Sequence, residues 1–223
     1  MGWLLGVLGI VATAGAWSLV RVGRASIWQA MTPLFAVLGA GAVLSGRAGL
    51  AGDPRLTGLA STRWWSVPAG LFAGAGAALV LFAATRAFLA IALRSESFAR
   101  HTGVQYAQRT ALGPAAAALS AVVVATGEEL FWRGAVQPSV GGLLDGVWAG
   151  PVAAATVVWA AYLVANLASR SLPIVAAAAV GGAVWAWLPL LTGGIAASLI
   201  CHAGWTALML VLPPPAGRGM MTS

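Results

Sequence analysis

Long apolar stretches separated by short polar breaks dominate the chain. Charge-free runs cover residues 1–20, 25–46, 64–85, 110–127, 146–169 and 171–217. A helix needs about 20 apolar residues to cross a hydrocarbon core of roughly 30 Å, so each of the first five runs predicts one pass. The sixth is about twice that length, too long for a single helix at about 1.5 Å per residue. Pro189 and the Gly193-Gly194 pair mark where it turns. The pattern therefore predicts an all-α fold, a polytopic membrane helical bundle of about seven transmembrane helices. An eighth helix is added if 86–109, RAFLAIALRSESFARHTGVQYAQR, lies in the interface as an amphipathic helix instead of a loop. The stretch MGWLLGVLGIVATAGAWSLV has no basic n-region and outlasts a typical signal-peptide core, so it is expected to be a retained first helix. Gly70 and Gly74 have the spacing of close helix packing, and Trp64, Trp65, Trp148 and Trp185 are expected as interface anchors.

Composition agrees with this reading. The 223 residues are 60% hydrophobic and 8% charged, with a mean hydropathy of +0.90, against roughly 25% charged residues in soluble domains. No Ser/Gly/Pro-rich linker divides the chain, which favours one domain. All 12 basic residues are arginines and the net charge is +7, which favours contact with anionic lipid headgroups. The arginines are scattered between apolar runs instead of gathered on one face, which argues against nucleic acid as a partner. The single cysteine, Cys201, has no partner for an internal disulfide and fits a small core residue.

Against that background the stretch EELFWRG is anomalous. Glu128 and Glu129 are two of only five acidic residues, and a charged group near a transmembrane helix centre costs about 2.5–3.5 kcal/mol on insertion scales. Glu129 and Arg133 are four apart and can pair on one helix face, while Glu128 points about 100° away. Two further polar stripes interrupt later apolar runs: Tyr162, Asn166 and Arg170, and Ser198, His202 and Thr206. Each alone is ordinary helix–helix hydrogen bonding, and the glutamates alone read equally as a helix end exposed to headgroups. If the clusters converge, they form a polar pocket inside the membrane.

Together these residues resemble the CPBP or Abi intramembrane proteases, a family that includes the type II CAAX prenyl endopeptidases. Glu128, Glu129, Arg133 and Gly134 match its EExxxR-Gly motif in full. Tyr162 matches the aromatic of its second motif, where Asn166 replaces the histidine. The stretch LLTGGIAASLICHAGWT supplies the turn and His202 of its third motif, where Thr206 replaces the usual Asn. The agreement spans about 110–212. On this resemblance residues 1–109 are N-terminal transmembrane helices and an arginine-rich loop, 110–212 are the catalytic-core helices of the same domain, and 213–223 are a short tail.

The resemblance implies an endopeptidase of the bacterial plasma membrane, without metal or other cofactor, acting on a peptide or lipid-modified protein near the membrane surface. Glu128 would activate water, Glu129 and Arg133 would form an orienting pair, and His202 with Thr206 would bind the developing oxyanion. Asn166 can orient a water but cannot take its proton. The alternative is a catalytically impaired member acting as a membrane binding partner or immunity protein. A metal is disfavoured because Glu128, Glu129 and His202 would be an unusual zinc ligand set. With seven passes, Arg21, Arg24, Arg86, Arg94, Arg100, Arg109, Arg170 and Arg218 fall on one side against Arg47, Arg55 and Arg63, which predicts an inside C-terminus. The same count sends the Glu128 end of the fourth helix to the outer face, in conflict with the cytoplasm-facing site that the resemblance implies.

Overall fold

The computed structural model describes residues 2–46, 66–144 and 149–214; Trp64, Trp65, Trp148, Arg47, Arg55, Arg63 and Arg218 lie outside the described residues. Among the described residues all regular structure is helical: α1 (Gly2–Arg21), α2 (Ile27–Leu44), α3 (Ser66–Ala92), α4 (Glu96–Leu112), α5 (Pro114–Glu128), a π-helical segment (Glu129–Val136), α6 (Gln137–Leu143), α7 (Gly150–Leu167), α8 (Leu172–Thr192) and α9 (Ala196–Val211). Six helical stretches are long and apolar enough to cross a membrane, and Ala196–Val211 is a shorter apolar helix. The protein is an integral membrane bundle. Outward-facing side chains such as Val11, Val37, Phe72 and Val80 are mostly exposed, as lipid-facing positions must be when the surrounding solvent is itself apolar.

Local chemistry sets the helix ends. Ser26 and Gln29 form a reciprocal capping box at the start of α2, satisfying backbone donors that the first turn leaves without intrahelical partners. Prolines open α5, α7 and α8, where a missing N–H costs no helical bond. Gly193 ends α8 in the left-handed conformation, φ 77, so the expected turn falls at the glycines while Pro189 stays within α8.

Two features depart from the hydropathy count. The run ending at 127 is not a helix end: α5 passes through the glutamates into the π-helical segment and α6, making one span from Pro114 to Leu143. Charge interrupts a hydropathy run but not a helix whose charged groups find partners. The second departure is Arg170, which is exposed, lies beyond the end of α7 and has φ 52, so it does not extend the Tyr162–Asn166 stripe.

The 86–109 segment does not form one amphipathic helix: residues 86–92 continue α3, and after a turn α4 (Glu96–Leu112) lies across one end of the bundle without a marked apolar face. Gln108 accepts from the Ile27 backbone N–H at 2.7 Å through its side chain and from Trp28 Nε1 at 3.1 Å through its carbonyl. Tyr106 donates to Met209 O at 3.0 Å, Gln105 Nε2 donates to Ser171 Oγ at 3.3 Å, and the Leu172 N–H donates to His101 Nδ1 at 3.4 Å. This end thus holds the start of α2, the start of α8 and the end of α9. Among the described residues the six long stretches and the shorter α9 alternate in direction from it, counting α5 through α6 as one. Arg21, Arg24, Arg94, Arg100 and Arg170 are exposed at this end, and Arg86 donates to Leu212 O there.

Glycine contacts bring the helices together. A Cβ on Gly74 of α3 would sit 2.6 Å from Ala197 O of α9, and one on Gly70 would sit 2.9 Å from the Ala196 Cβ. The Gly70/Gly74 spacing is therefore used as expected. At the α2–α5 crossing, a Cβ on Gly127 would collide with the Phe35 carbonyl, one residue before Glu128. Overpacking of this kind costs typically about 1–3 kcal/mol. Gly127→Ala is expected to lower the apparent melting temperature in detergent by several degrees, whereas Gly76→Ala, which meets nothing within 4 Å, should leave it equal or higher; differential scanning fluorimetry of the two checks this.

Candidate active site

The two glutamates sit where the α-helix widens into the π-helical segment, a helical irregularity frequent at functional sites. Almost the whole segment is buried, including Glu129 and Arg133. Arg133 Nη1 pairs with Glu129 Oε1 at 3.3 Å, as the four-residue spacing predicts. Its Nη2 donates to Gly182 O of α8 at 3.1 Å, and its guanidinium lies 4.8 Å from the Tyr162 ring centroid. One arginine thereby ties the glutamate helix to α8 and packs on an aromatic of α7.

His202 approaches from α9. Its Nδ1 lies 2.9 Å from Glu129 Oε1 and its Nε2 lies 3.6 Å from Glu128 Oε2. The carboxylate of Glu129 accepts, so Nδ1 carries the proton in that contact and Nε2 faces Glu128. Trp185 stacks on the imidazole with centroids 3.5 Å apart and planes 13° from parallel. Trp185 is thus not an interface anchor. It lies in the middle of α8, 1% exposed, far from either end where an amphipathic ring would meet headgroups.

Glu128 receives a hydrogen bond from the Tyr162 hydroxyl at 3.0 Å. One turn on, Asn166 donates through Nδ2 to Tyr162 O at 2.9 Å and accepts at Oδ1 from Trp17 Nε1 at 3.0 Å. Thr206 lies beside His202 but donates its hydroxyl to His202 O at 2.8 Å, the ordinary bond of a helical threonine to the preceding turn. Ser198 is likewise bonded to Ile195 O and buried. Cys201 is fully buried, a core residue as expected.

Glu128, Asn166, His202 and Thr206 line one cavity of about 570 Å³, roofed by Phe98, Thr102 and Tyr106 of α4 and walled by residues such as Trp28, Leu81 and Trp205. Glu129 and Arg133 stand behind it, completing the support. All six expected residues are therefore gathered at one place. Sequence reasoning missed Trp17, which is one of 11 tryptophans in an unbroken apolar run with no local mark.

The Glu129–Arg133 pair is fully buried on both sides, so removing one partner leaves a desolvated charge, at a cost of about 3–5 kcal/mol. Arg133→Met is expected to destabilise the protein by about that much, and Glu129→Gln in the same chain should recover much of the loss; thermal unfolding of the single and double variants measures it.

The family model described as "Type II CAAX prenyl endopeptidase Rce1-like" matches residues 110–208. No curated protein and no solved structure matched the chain. The match spans α5 to α9 and includes every residue of the polar cluster except Trp17 of α1. By this match, residues 110–208 are similar to the Rce1-like type II CAAX prenyl endopeptidases, in keeping with the CPBP group that the motifs resemble.

Proposed function

We propose that this protein is an intramembrane endopeptidase of the CPBP/CAAX type, in which Glu128 activates a water molecule for attack on a peptide bond. The observation that carries this reading is the convergence of Glu128, Asn166 and His202, from three separate spans, on one cavity. Glu128 has one carboxylate oxygen held by Tyr162, which orients it without neutralising it. Water bound between the carboxylate and a peptide carbonyl gives its proton to Glu128 as its oxygen bonds to the carbonyl carbon. The proton then passes to the amide nitrogen as the C–N bond breaks, releasing a carboxylic acid and an amine.

His202 Nε2, facing Glu128 at 3.6 Å, is placed to share that proton. The buried Glu129 carboxylate supports an imidazolium while the transfer lasts, and Arg133 balances the Glu129 charge. This gives His202 an acid–base share of the work; with Nδ1–H held by Glu129 and Nε2 facing Glu128, the oxyanion contact that the motif implies falls to another donor. The histidine missing at 166 is thereby partly replaced in function, though from a different helix.

The exposed arginines gathered at the α4 end support a cytoplasmic position for that end by the positive-inside rule. The cavity lies beneath α4, so a substrate would enter from the same side. With Glu128 in mid-span, the arginine count and a cytoplasm-facing site agree. A peptide or lipid-modified protein held at the membrane surface is the substrate class this arrangement fits, with lipids covering the outer faces of the bundle.

A second reading, a family member that binds without cutting, is favoured by Asn166, which cannot accept a proton, and by the committed Thr206 hydroxyl. A peptide-library cleavage assay on purified protein in detergent separates the two. The wild type is expected to cleave, and Glu128→Gln to lose about 10²-fold or more, the usual range for general-base removal. Cleavage that survives in Glu128→Gln would remove Glu128 from the mechanism, and saturable peptide binding without cleavage in the wild type would establish the second reading.

A further inference from the structure

Asn166 is held in a way that decides which of its atoms a ligand can meet. An amide side chain has an accepting oxygen and a donating nitrogen that look alike in outline, but its neighbours here distinguish them. The Trp17 indole can only donate, so the atom facing it at 3.0 Å is Oδ1. The Tyr162 main-chain carbonyl can only accept, so the atom facing it at 2.9 Å is Nδ2. Both bonds are buried, with Trp17 8% and Asn166 4% exposed. The two bonds together fix the orientation of the amide, and one of its two Nδ2 protons remains for the cavity that Asn166 lines.

The polar groups around that proton are already occupied. The Thr206 hydroxyl donates to His202 O, Tyr162 donates to Glu128, and His202 directs Nδ1 at Glu129. An oxygen atom of a bound acyl group therefore has Asn166 Nδ2–H as its neutral side-chain donor among these four residues. We propose that Trp17 is a positioning residue: by occupying Oδ1 it fixes Asn166 as a hydrogen-bond donor to an oxygen atom bound in the cavity. On the proteolytic reading above, on which this rests, that atom is the carbonyl oxygen of the scissile bond. Asn166 then serves the oxyanion, with the acid–base chemistry left to Glu128 and His202. The device links α1, outside the family match, to α7 within it.

The test is a double-mutant cycle with two readouts. Trp17→Phe keeps an aromatic ring but removes the N–H. It is expected to lower kcat about 10-fold with KM within about twofold, since the interaction strengthens as charge develops on the oxygen. Asn166→Ala should lower kcat further, and Trp17→Phe added to Asn166→Ala should cost nothing more, because the group it positions is gone. Full additivity of the two losses, or an unchanged kcat in Trp17→Phe, overturns the proposal.

The second readout needs no activity. In protein carrying 15N-labelled tryptophan in detergent micelles, the Trp17 indole N–H resonance, identified by its loss in Trp17→Phe, should be protected from solvent exchange and should shift in Asn166→Ala. If it is unprotected or does not move, Trp17 does not hold Asn166 and the inference fails even when the protein cleaves peptides. If the wild type cleaves nothing while this resonance behaves as expected, the protease reading falls and the held amide donor stands.

Discussion

A carboxylate fully withdrawn from solvent inside a lipid-embedded bundle must be matched by charge and hydrogen bonds, and Glu129 is that group here. Arg133 supplies the charge from the next turn, and His202 supplies a hydrogen bond from α9. Arg133 in turn needs a further acceptor, which it finds in Gly182 O on α8. A single buried acid thus fixes the relation of three spans. The desolvation of such groups makes the arrangement unforgiving, because a partner displaced by even an ångström leaves charge exposed to a medium that cannot screen it. The π-helical widening belongs to the same constraint, since Glu129 and Arg133 within it and Gln137, which follows it at the start of α6, all turn inward and are fully buried. Gln137 extends the pattern by donating to Ala186 O, one turn along α8 from Gly182.

Aromatic packing holds the polar groups at their distances. Trp132, Tyr162, Trp185 and His202 form a continuous series of ring contacts, edge-on between the first three and stacked at the last. Such rings have few rotatable bonds and fill large volumes, so they fix neighbours at low entropic cost. Gly182 fits the same frame: a Cβ there would sit 3.0 Å from the Tyr162 ring, so its lack of a side chain lets α8 bring its carbonyl to Arg133 while Tyr162 reaches Glu128. Polar chemistry and apolar packing are therefore one construction, with the tyrosine serving both.

Much of this was legible along the chain and some of it was not, for physical reasons. Apolar length and glycine turns specified the spans, because both are local properties. The Glu129–Arg133 pair was legible because four residues set a distance along any near-helical backbone. The continuation of the helix beyond Glu128 was not, since hydropathy counts a charge as a cost without knowing whether a histidine from another span will meet it. Trp185 was misplaced for a related reason: the amphipathic ring suits an interface, and only the imidazole it stacks on explains its burial. Trp17 and Asn166 are 149 positions apart, and no local pattern in either segment reveals the other. Arg170 fell off its stripe because α7 stops at Leu167, three residues short.

The division between residues 1–109 and the rest has a physical meaning in this frame. The polar cluster demands particular atoms at particular separations, and it lies almost wholly on α5 to α9, the stretch that matches the family. The cavity's apolar walls come from α8 and α9 and also from α1 to α4, the latter through residues such as Trp28, Leu81 and Tyr106. A wall needs only apolar volume and shape, which many sequences supply equally well. A chemical core can therefore remain recognisable beside walls that carry only hydrophobicity as a signature. Trp17 is the exception that joins the two, a wall residue whose indole proton reaches an amide of the core.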